Sequence, residues 1–155
     1  MKKTLLLLAV IGLFAGACNK NKIISGVHHF KNGAWERFEF LKFELPIENT
    51  KAKYDISVEL SVTSDFPAES LCVNVVMTTP SGEERIKDYN LPLKDRNGIF
   101  LGTKTEGIYH LSVPIRKEMR FNEAGACKFE IENLMTKYVT PGIIEFGIKM
   151  EETKK

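Results

Sequence analysis

The stretch from Tyr54 to Thr63 reads YDISVELSVT and alternates strictly between apolar and polar side chains. The apolar set runs from Tyr54 to Val62 and the polar set from Asp55 to Thr63. Successive side chains of an extended strand point to opposite faces, so the pattern predicts a strand with one buried and one solvated face. No long segment after residue 17 shows the 3.6-residue period of an amphipathic helix. These features indicate an all-β protein.

Further strand segments follow this one along the chain and are separated by turn residues. Leu71–Met77, Tyr109–Ile115, Cys127–Ile131 and Ile144–Met150 also alternate, and residues 83–89 are predicted to form a more polar strand. Among the turns, Asp95-Arg96-Asn97-Gly98 is distinctive because Asn-Gly favours positive φ values. Short strands at this spacing predict a single antiparallel β-sandwich of about seven to eight strands over residues 23–155.

The aromatic residues provide candidates for the core. Those on apolar phases are predicted to be buried: Phe38, Phe40, Phe43, Phe129 and Phe146. Trp35 has two interpretations. The large apolar area of its ring favours the core, and the alternative is a contact surface at one end of the sandwich.

The N-terminus has the pattern of a bacterial lipoprotein signal. Lys2 and Lys3 precede the eleven-residue apolar run Thr4–Phe14, which suits a signal peptide and is too short to span a bilayer. Small residues then lead to Cys18, as at the site where such signals are cleaved and the cysteine is acylated. We therefore expect residues 1–17 to be removed and residues 18–22 to form a lipidated cysteine and a short tether. Ordinary secretory cleavage after Ala17 is the alternative.

The charge of the chain after the leader and the residue that follows Cys18 bear on its partners and its location. The chain has 22 Lys and Arg and 20 Asp and Glu, and two of the lysines lie in the leader, so the remainder is formally neutral. No basic stripe is present, which argues against nucleic-acid binding.

Asn19 follows Cys18, so the familiar Asp signal for inner-membrane retention is missing, and we expect the outer membrane with the domain facing the periplasm.

Metal and catalytic motifs are not evident. Cys72 and Cys127 fall on opposite strand faces, so two free thiols are favoured over a disulfide, which would need a bulge or a strand end. His28 and His29 also point to opposite faces, and His110 lies on a polar face. The sequence contains no CxxC, HExxH or Gly-x-Ser-x-Gly motif, and we expect no metal, no cofactor and no enzyme.

Several motifs follow one another along the chain in a characteristic order. They are Cys18, His29-Phe30, Trp35, Asp65-Phe66-Pro67, Pro80-Ser81-Gly82, LPLKDRNG from Leu91 to Gly98, Phe100-Leu101-Gly102, FNEAG from Phe121 to Gly125, Gly142-Ile143 and Gly147-Ile148. In this order and spacing they resemble the GldH family of gliding-motility lipoproteins, over nearly the whole chain after Cys18. The resemblance implies a small envelope lipoprotein linked with motility and type IX secretion, and it supplies one site residue, Cys18.

Two functions are therefore expected. The first is a non-enzymatic accessory or scaffold role in a motility or secretion machinery, with envelope proteins as partners. Trp35, Asp95, Asn97 and Gly98 are candidates for its contact surface. The second is a lipid-anchored sandwich that binds a ligand such as a glycan, for which a single Trp is a weak platform.

Overall fold

The computed structural model describes residues 21–153, and these residues form eleven strands and no helix. The strands are β1 Ile23–His29, β2 Ala34–Glu36, β3 Leu41–Ile47, β4 Lys53–Val62, β5 Ser70–Thr78, β6 Glu84–Pro92, β7 Thr103–Thr105, β8 Ile108–Met119, β9 Gly125–Asn133, β10 Val139–Pro141 and β11 Ile143–Thr153. No apolar helix of membrane-spanning length occurs within this range.

Two antiparallel sheets make up the sandwich. One has the order β1-β11-β4-β8-β7 and the other the order β3-β9-β5-β6, while β2 and β10 form a separate two-stranded ribbon. The predicted antiparallel β-sandwich is confirmed. Eleven strands exceed the predicted seven to eight because β2, β7 and β10 have only three residues each, too few to show a period.

The strictly alternating strand, β4, lies at the centre of the larger sheet. On β4, Tyr54, Ile56, Val58, Leu60 and Val62 are all buried, as the alternation predicts. Opposite them, β5 contributes the buried set Leu71, Val73, Val75 and Met77. Burial of these two apolar faces against each other supplies the main driving force for folding.

Three of the five predicted core phenylalanines are buried, namely Phe43, Phe129 and Phe146. The prediction was wrong for Phe38 and Phe40, which are 67% and 46% exposed. Both lie where the chain leaves β2 and turns before β3, with the Glu39 N–H donating to the Glu36 carbonyl at 3.1 Å. The period-2 rule does not hold for residues in a turn, so their apolar phase carried no information about burial.

The two ends of the sandwich differ. At one end the chain enters at Ile23, which pairs with Glu151, and β4 begins beside the last residues of β11. We call this the tether end. At the other end Val62 pairs with Ile143 and with Tyr109, and we call it the distal end. The ten residues of β4 separate the two ends by about 33 Å at ~3.3 Å per residue.

Candidate contact surface

A compact loop between β6 and β7 carries three of the predicted contact residues. The Asp95 carboxylate accepts hydrogen bonds from the backbone N–H groups of Asn97 at 2.8 Å and Ile99 at 2.9 Å. The Asp95 carbonyl also accepts the Gly98 N–H at 3.0 Å, and Gly98 has φ +77°. This is the predicted turn, although only Gly98, and not Asn97, takes the positive φ. The turn holds its backbone in one conformation through its own side chain.

The contact loop, residues 93–102, is fastened to the distal end. The Lys94 ammonium donates to the Phe66 carbonyl at 3.0 Å, and the Phe100 ring stacks on Tyr109 with ring centroids 4.2 Å apart. In contrast, Ile99 is 63% exposed and Leu101 is 40% exposed. The loop therefore presents two apolar side chains to solvent on a rigid base.

Trp35, the fourth predicted contact residue, is fully buried. Its indole N–H donates to the Glu39 carbonyl at 2.8 Å, and its ring lies 5.5 Å from Phe30 and 5.3 Å from Phe146 between centroids. The sequence favoured a core position for Trp35, and the structure confirms it. In this position Trp35 is inaccessible to a partner, and the accessible aromatic groups lie nearby instead.

Four exposed apolar side chains follow β2 or lie where β10 begins, namely Phe38, Phe40, Tyr138 and Val139. We call them the aromatic patch, since three of the four are aromatic. The Phe38 and Tyr138 rings lie 6.0 Å apart between centroids, and the Tyr138 hydroxyl donates to Glu36 at 3.4 Å. The sequence did not predict this patch, because Phe38 and Phe40 lie on apolar phases and both were expected in the core. A usable signal was the Trp35–Arg37 break in alternation, which marks a turn.

A polar chain of side chains crosses the outer face of the larger sheet. Ser61 donates its hydroxyl proton to Glu145 at 2.8 Å, so His110 Nδ1, 3.0 Å from the Ser61 oxygen, is the donor there. The other Glu145 oxygen lies 2.9 Å from His29 Nδ1. In a nucleophilic triad the histidine stands between serine and carboxylate, whereas here the serine stands between them. Ser61 is also buried, and its geometry is that of a structural hydrogen-bond bridge.

The histidines and cysteines are distributed as the strand phases predict. His28 Nε2 lies 3.5 Å from Glu39, on the other side of the strand from His29. Cys72 is half-buried and Cys127 is buried, and both are free thiols. Burial raises the pKa of Cys127 from 9.0 to about 12, which keeps it a neutral thiol at physiological pH. Within residues 21–153, no three His, Cys, Asp or Glu side chains are grouped as a metal site would require.

Comparison with known proteins places these features in a family. The family model described as GldH lipoprotein matches residues 22–150. The chain belongs to the GldH lipoprotein family. The match covers all eleven strands apart from residues 151–153 at the end of β11, and it includes the contact loop and the aromatic patch.

One relative is similar to the chain over nearly its full length. The gliding motility lipoprotein GldH of Flavobacterium johnsoniae is 23% identical over an alignment 155 positions long, which covers 96% of this chain and 94% of the relative. Among solved structures, that of the infectious bursal disease virus Gx strain matches with a TM-score of 0.36 and 11% identity, covering 87% of this chain and 32% of the viral one.

The residue that would carry the lipid in a GldH family member lies outside the described residues. Cys18 and the signal peptide before it precede Asn21, the first of them. Asn21 donates to the Glu151 carboxylate at 3.0 Å, and the Lys22 ammonium pairs with Glu48. The last two residues of the predicted tether thus already contact the sandwich.

Proposed function

We propose that this chain is a lipid-anchored, non-enzymatic component of a gliding-motility or type IX secretion-linked machinery in the cell envelope. The observation that carries the proposal is membership of the GldH family over residues 22–150, together with near full-length similarity to a gliding motility lipoprotein. The secretion link comes from the family resemblance. The non-enzymatic role is supported by the order of the Ser61, His110 and Glu145 hydrogen bonds, which differs from that of a triad.

The proposed anchor is an acylated Cys18 after removal of residues 1–17. One acyl chain holds a protein on a bilayer only marginally, whereas two or more give stable attachment. Asn19 in place of Asp supports the outer membrane, and the absence of an acidic tract after Cys18 supports a periplasm-facing domain. Cys18→Ser is expected to abolish labelling by a fatty-acid analogue and to move the protein out of the membrane fraction.

The proposed partner contact is the contact loop at the distal end. Asp95, Asn97 and Gly98 set its shape, and Ile99 and Leu101 provide its exposed apolar surface. Loops on a rigid scaffold commonly carry binding residues. An envelope protein reaching the distal end would meet this loop away from the bilayer.

The test is complementation of a deletion strain, with colony spreading, secretion and envelope integrity measured together. Ile99→Asp is expected to reduce spreading or secretion without lowering the amount of protein, since Ile99 is exposed. Val27→Asp, at an apolar residue 50% exposed on β1, is the matched control and is expected to behave as wild type. If deletion left all three measurements unchanged, the proposed role would be wrong. If deletion reduced spreading or secretion but Ile99→Asp did not, the contact loop would be excluded as the partner contact, and the proposed role in the machinery would stand.

Glycan binding is a second candidate because the aromatic patch exposes Phe38 and Tyr138 side by side. Aromatic faces stack on sugar rings, and this pair is accessible whereas Trp35 is not. A glycan array with wild type and Phe38→Ala tests it. Binding that disappears in the variant would support this candidate. No binding, or binding that the variant does not alter, would remove it.

A further inference from the structure

The sandwich is closed along one long side and open along the other. On the closed side β1 lies against β3, where Gly26 leaves room for the Phe43 ring: a Cβ at Gly26 would lie 3.0 Å from Phe43 Cδ1. On the other side a cleft of about 320 Å³ separates β6 from β8. Cavities that hold small molecules begin at about this volume.

The floor of this cleft is apolar. Ile56, Val75, Met77 and Phe129 line it, and each is a buried core residue. Ile115 of β8 adds a half-buried wall. Such a floor removes an alkyl chain from water, which is favourable in proportion to the area buried.

Two cations on β6 point toward this floor. Arg85 pairs with Met77 and Lys87 pairs with Val75 in the antiparallel register. Cross-strand partners have their side chains on the same face of a sheet, so both cations occupy inward positions. In a sandwich, inward positions are ordinarily apolar.

A third cation faces them from β8. Arg116 pairs with Ile56, and the register shifts on both sides of this pair. The irregularity places Arg116 opposite a buried residue of β4, and Arg116 lines the same cleft as Arg85 and Lys87. Three cationic side chains from two sheets thus converge at one apolar opening.

The charge of this rim is only partly neutralised. Arg85 makes a two-point ion pair with Glu83, at 2.9 and 3.1 Å. Within residues 21–153, neither Lys87 nor Arg116 makes an ion pair, and the Lys87 ammonium lies 4.9 Å from the Tyr89 ring centroid. The opening therefore has net positive charge above an apolar floor, which complements an anion with a hydrocarbon tail.

We propose that this cleft binds a fatty-acid anion, with its acyl chain on the Ile56–Phe129 floor and its carboxylate held by Arg116 and Lys87. A guanidinium holds a carboxylate through two parallel hydrogen bonds, and an ammonium adds a point charge. The small volume favours a single acyl chain over a peptide segment. Ile56 pairs with Met150, which pairs with Ile24, so the floor lies toward the tether end. The site does not depend on the proposed role in motility.

The test is a titration of the soluble fragment 19–155 with cis-parinaric acid, a fluorescent fatty acid. This fragment contains all the strands and buried residues described above. Saturable one-to-one binding is expected, and the alcohol of the same chain is expected to bind at least tenfold more weakly. The double variant Lys87→Met and Arg116→Met keeps the length of the side-chain stems and is expected to lose about tenfold or more in affinity for the acid.

Lys104→Met is the matched control, since the Lys104 ammonium also lies over a tyrosine ring, 5.0 Å from the Tyr109 centroid, but outside the cleft. It is expected to bind the acid as wild type does. Four results would overturn the proposal: no saturable binding, equal binding of acid and alcohol, unchanged affinity in the double variant, or the same loss in Lys104→Met. No binding together with self-association of the double variant would mean that the inward cations only protect the β6 edge.

Discussion

Trp35 closes the core at the distal end of the sandwich. Its ring packs against Phe146 of the larger sheet, and its carbonyl accepts a hydrogen bond from Asn133 of the smaller sheet at 3.3 Å. Asn133 is itself buried and donates a second bond to Thr140 at 3.1 Å. The β2–β10 ribbon is thereby fixed between the two sheets. A residue that performs this role cannot also serve as a surface contact.

Gly142 permits an approach of two backbones at the same end. A Cβ there would lie 2.4 Å from the Phe66 nitrogen, and Gly142 has φ +81°. Gly82 has a similar φ of +83° but has open space around it. Gly82→Ala is therefore expected to cost about 1–2 kcal/mol from the left-handed backbone alone. Gly142→Ala is expected to cost clearly more, as measured by urea unfolding of both variants. Equal losses would mean that the clash at Phe66 is relieved without cost.

The buried Cys127 thiol is expected to make the free energy of unfolding fall at alkaline pH. Burial raises its pKa from 9.0 to about 12 in the folded protein. As the pH rises, the unfolded chain therefore loses the thiol proton before the folded protein does. The stability that the neutral, buried thiol contributes is complete below pH 9 and is lost as the pH rises toward 12. The slope reaches about 1.4 kcal/mol per pH unit.

The measurement is urea unfolding at several pH values from 8 to 11, for wild type and Cys127→Ala. The variant starts less stable because it leaves a cavity, but its stability is expected to fall less steeply with pH. Burial also raises the pKa of Tyr54 and Tyr89, so some slope remains in both proteins. Parallel curves would contradict the assignment to Cys127.

Among the elements, the strands that the sequence predicts well are those with enough residues to show a period. The alternation from Tyr54 to Val62 and from Leu71 to Met77 corresponds to buried faces of β4 and β5. The three-residue strands β2, β7 and β10 depend on tertiary pairing, which no local pattern encodes. Phe38 and Phe40 were misassigned for the same reason: their exposure depends on where β2 ends.

The turn at Asp95 and the hydrogen-bond bridge at Ser61 differ in how far the sequence predicts them. The turn at Asp95 follows from local residue chemistry, and it was predicted from the sequence. The Ser61–His110–Glu145 bridge joins residues 49 and 84 positions apart. The alternation places each of the three side chains on the polar face of its strand. They come together only because β11, β4 and β8 are neighbours in the sheet, and the sequence alone does not give this strand order.

The Asp95 side chain is expected to support the backbone of the contact loop. Asp95→Ala removes the acceptor of two backbone N–H groups and is expected to destabilise the loop by about 1 kcal/mol. Because the loop is exposed, the change is expected as faster hydrogen exchange at Asn97 and Ile99, with a small effect on the melting temperature. Asp88→Ala, on the exposed part of β6, serves as the control. Unchanged exchange at these two amides would exclude the side-chain bonds as the loop's support.

For the whole molecule, the proposed anchor and the proposed contact lie at opposite ends. The chain enters at Ile23, whereas the contact loop is bonded to Phe66, which follows the distal end of β4. Since Asn21 and Lys22 already contact the sandwich, few residues separate Cys18 from folded structure. A domain held this way would place its distal loop at a nearly constant height above the bilayer.

This geometry predicts the effect of a longer tether. Sixteen Gly and Ser residues inserted between Lys20 and Asn21 span about 22 Å on average and let the domain move freely. Membrane fractionation and thermal stability are expected to remain unchanged, because the lipid site and the contacts of Asn21 are kept. Spreading of the complemented strain is expected to fall, because the effective concentration of the contact loop at a fixed partner falls with linker length. The same linker after Lys155 leaves the height unaltered and is expected to spread as wild type. If the strain with the N-terminal linker spread fully, a fixed height of the contact loop above the bilayer would not be needed, and this prediction would be wrong.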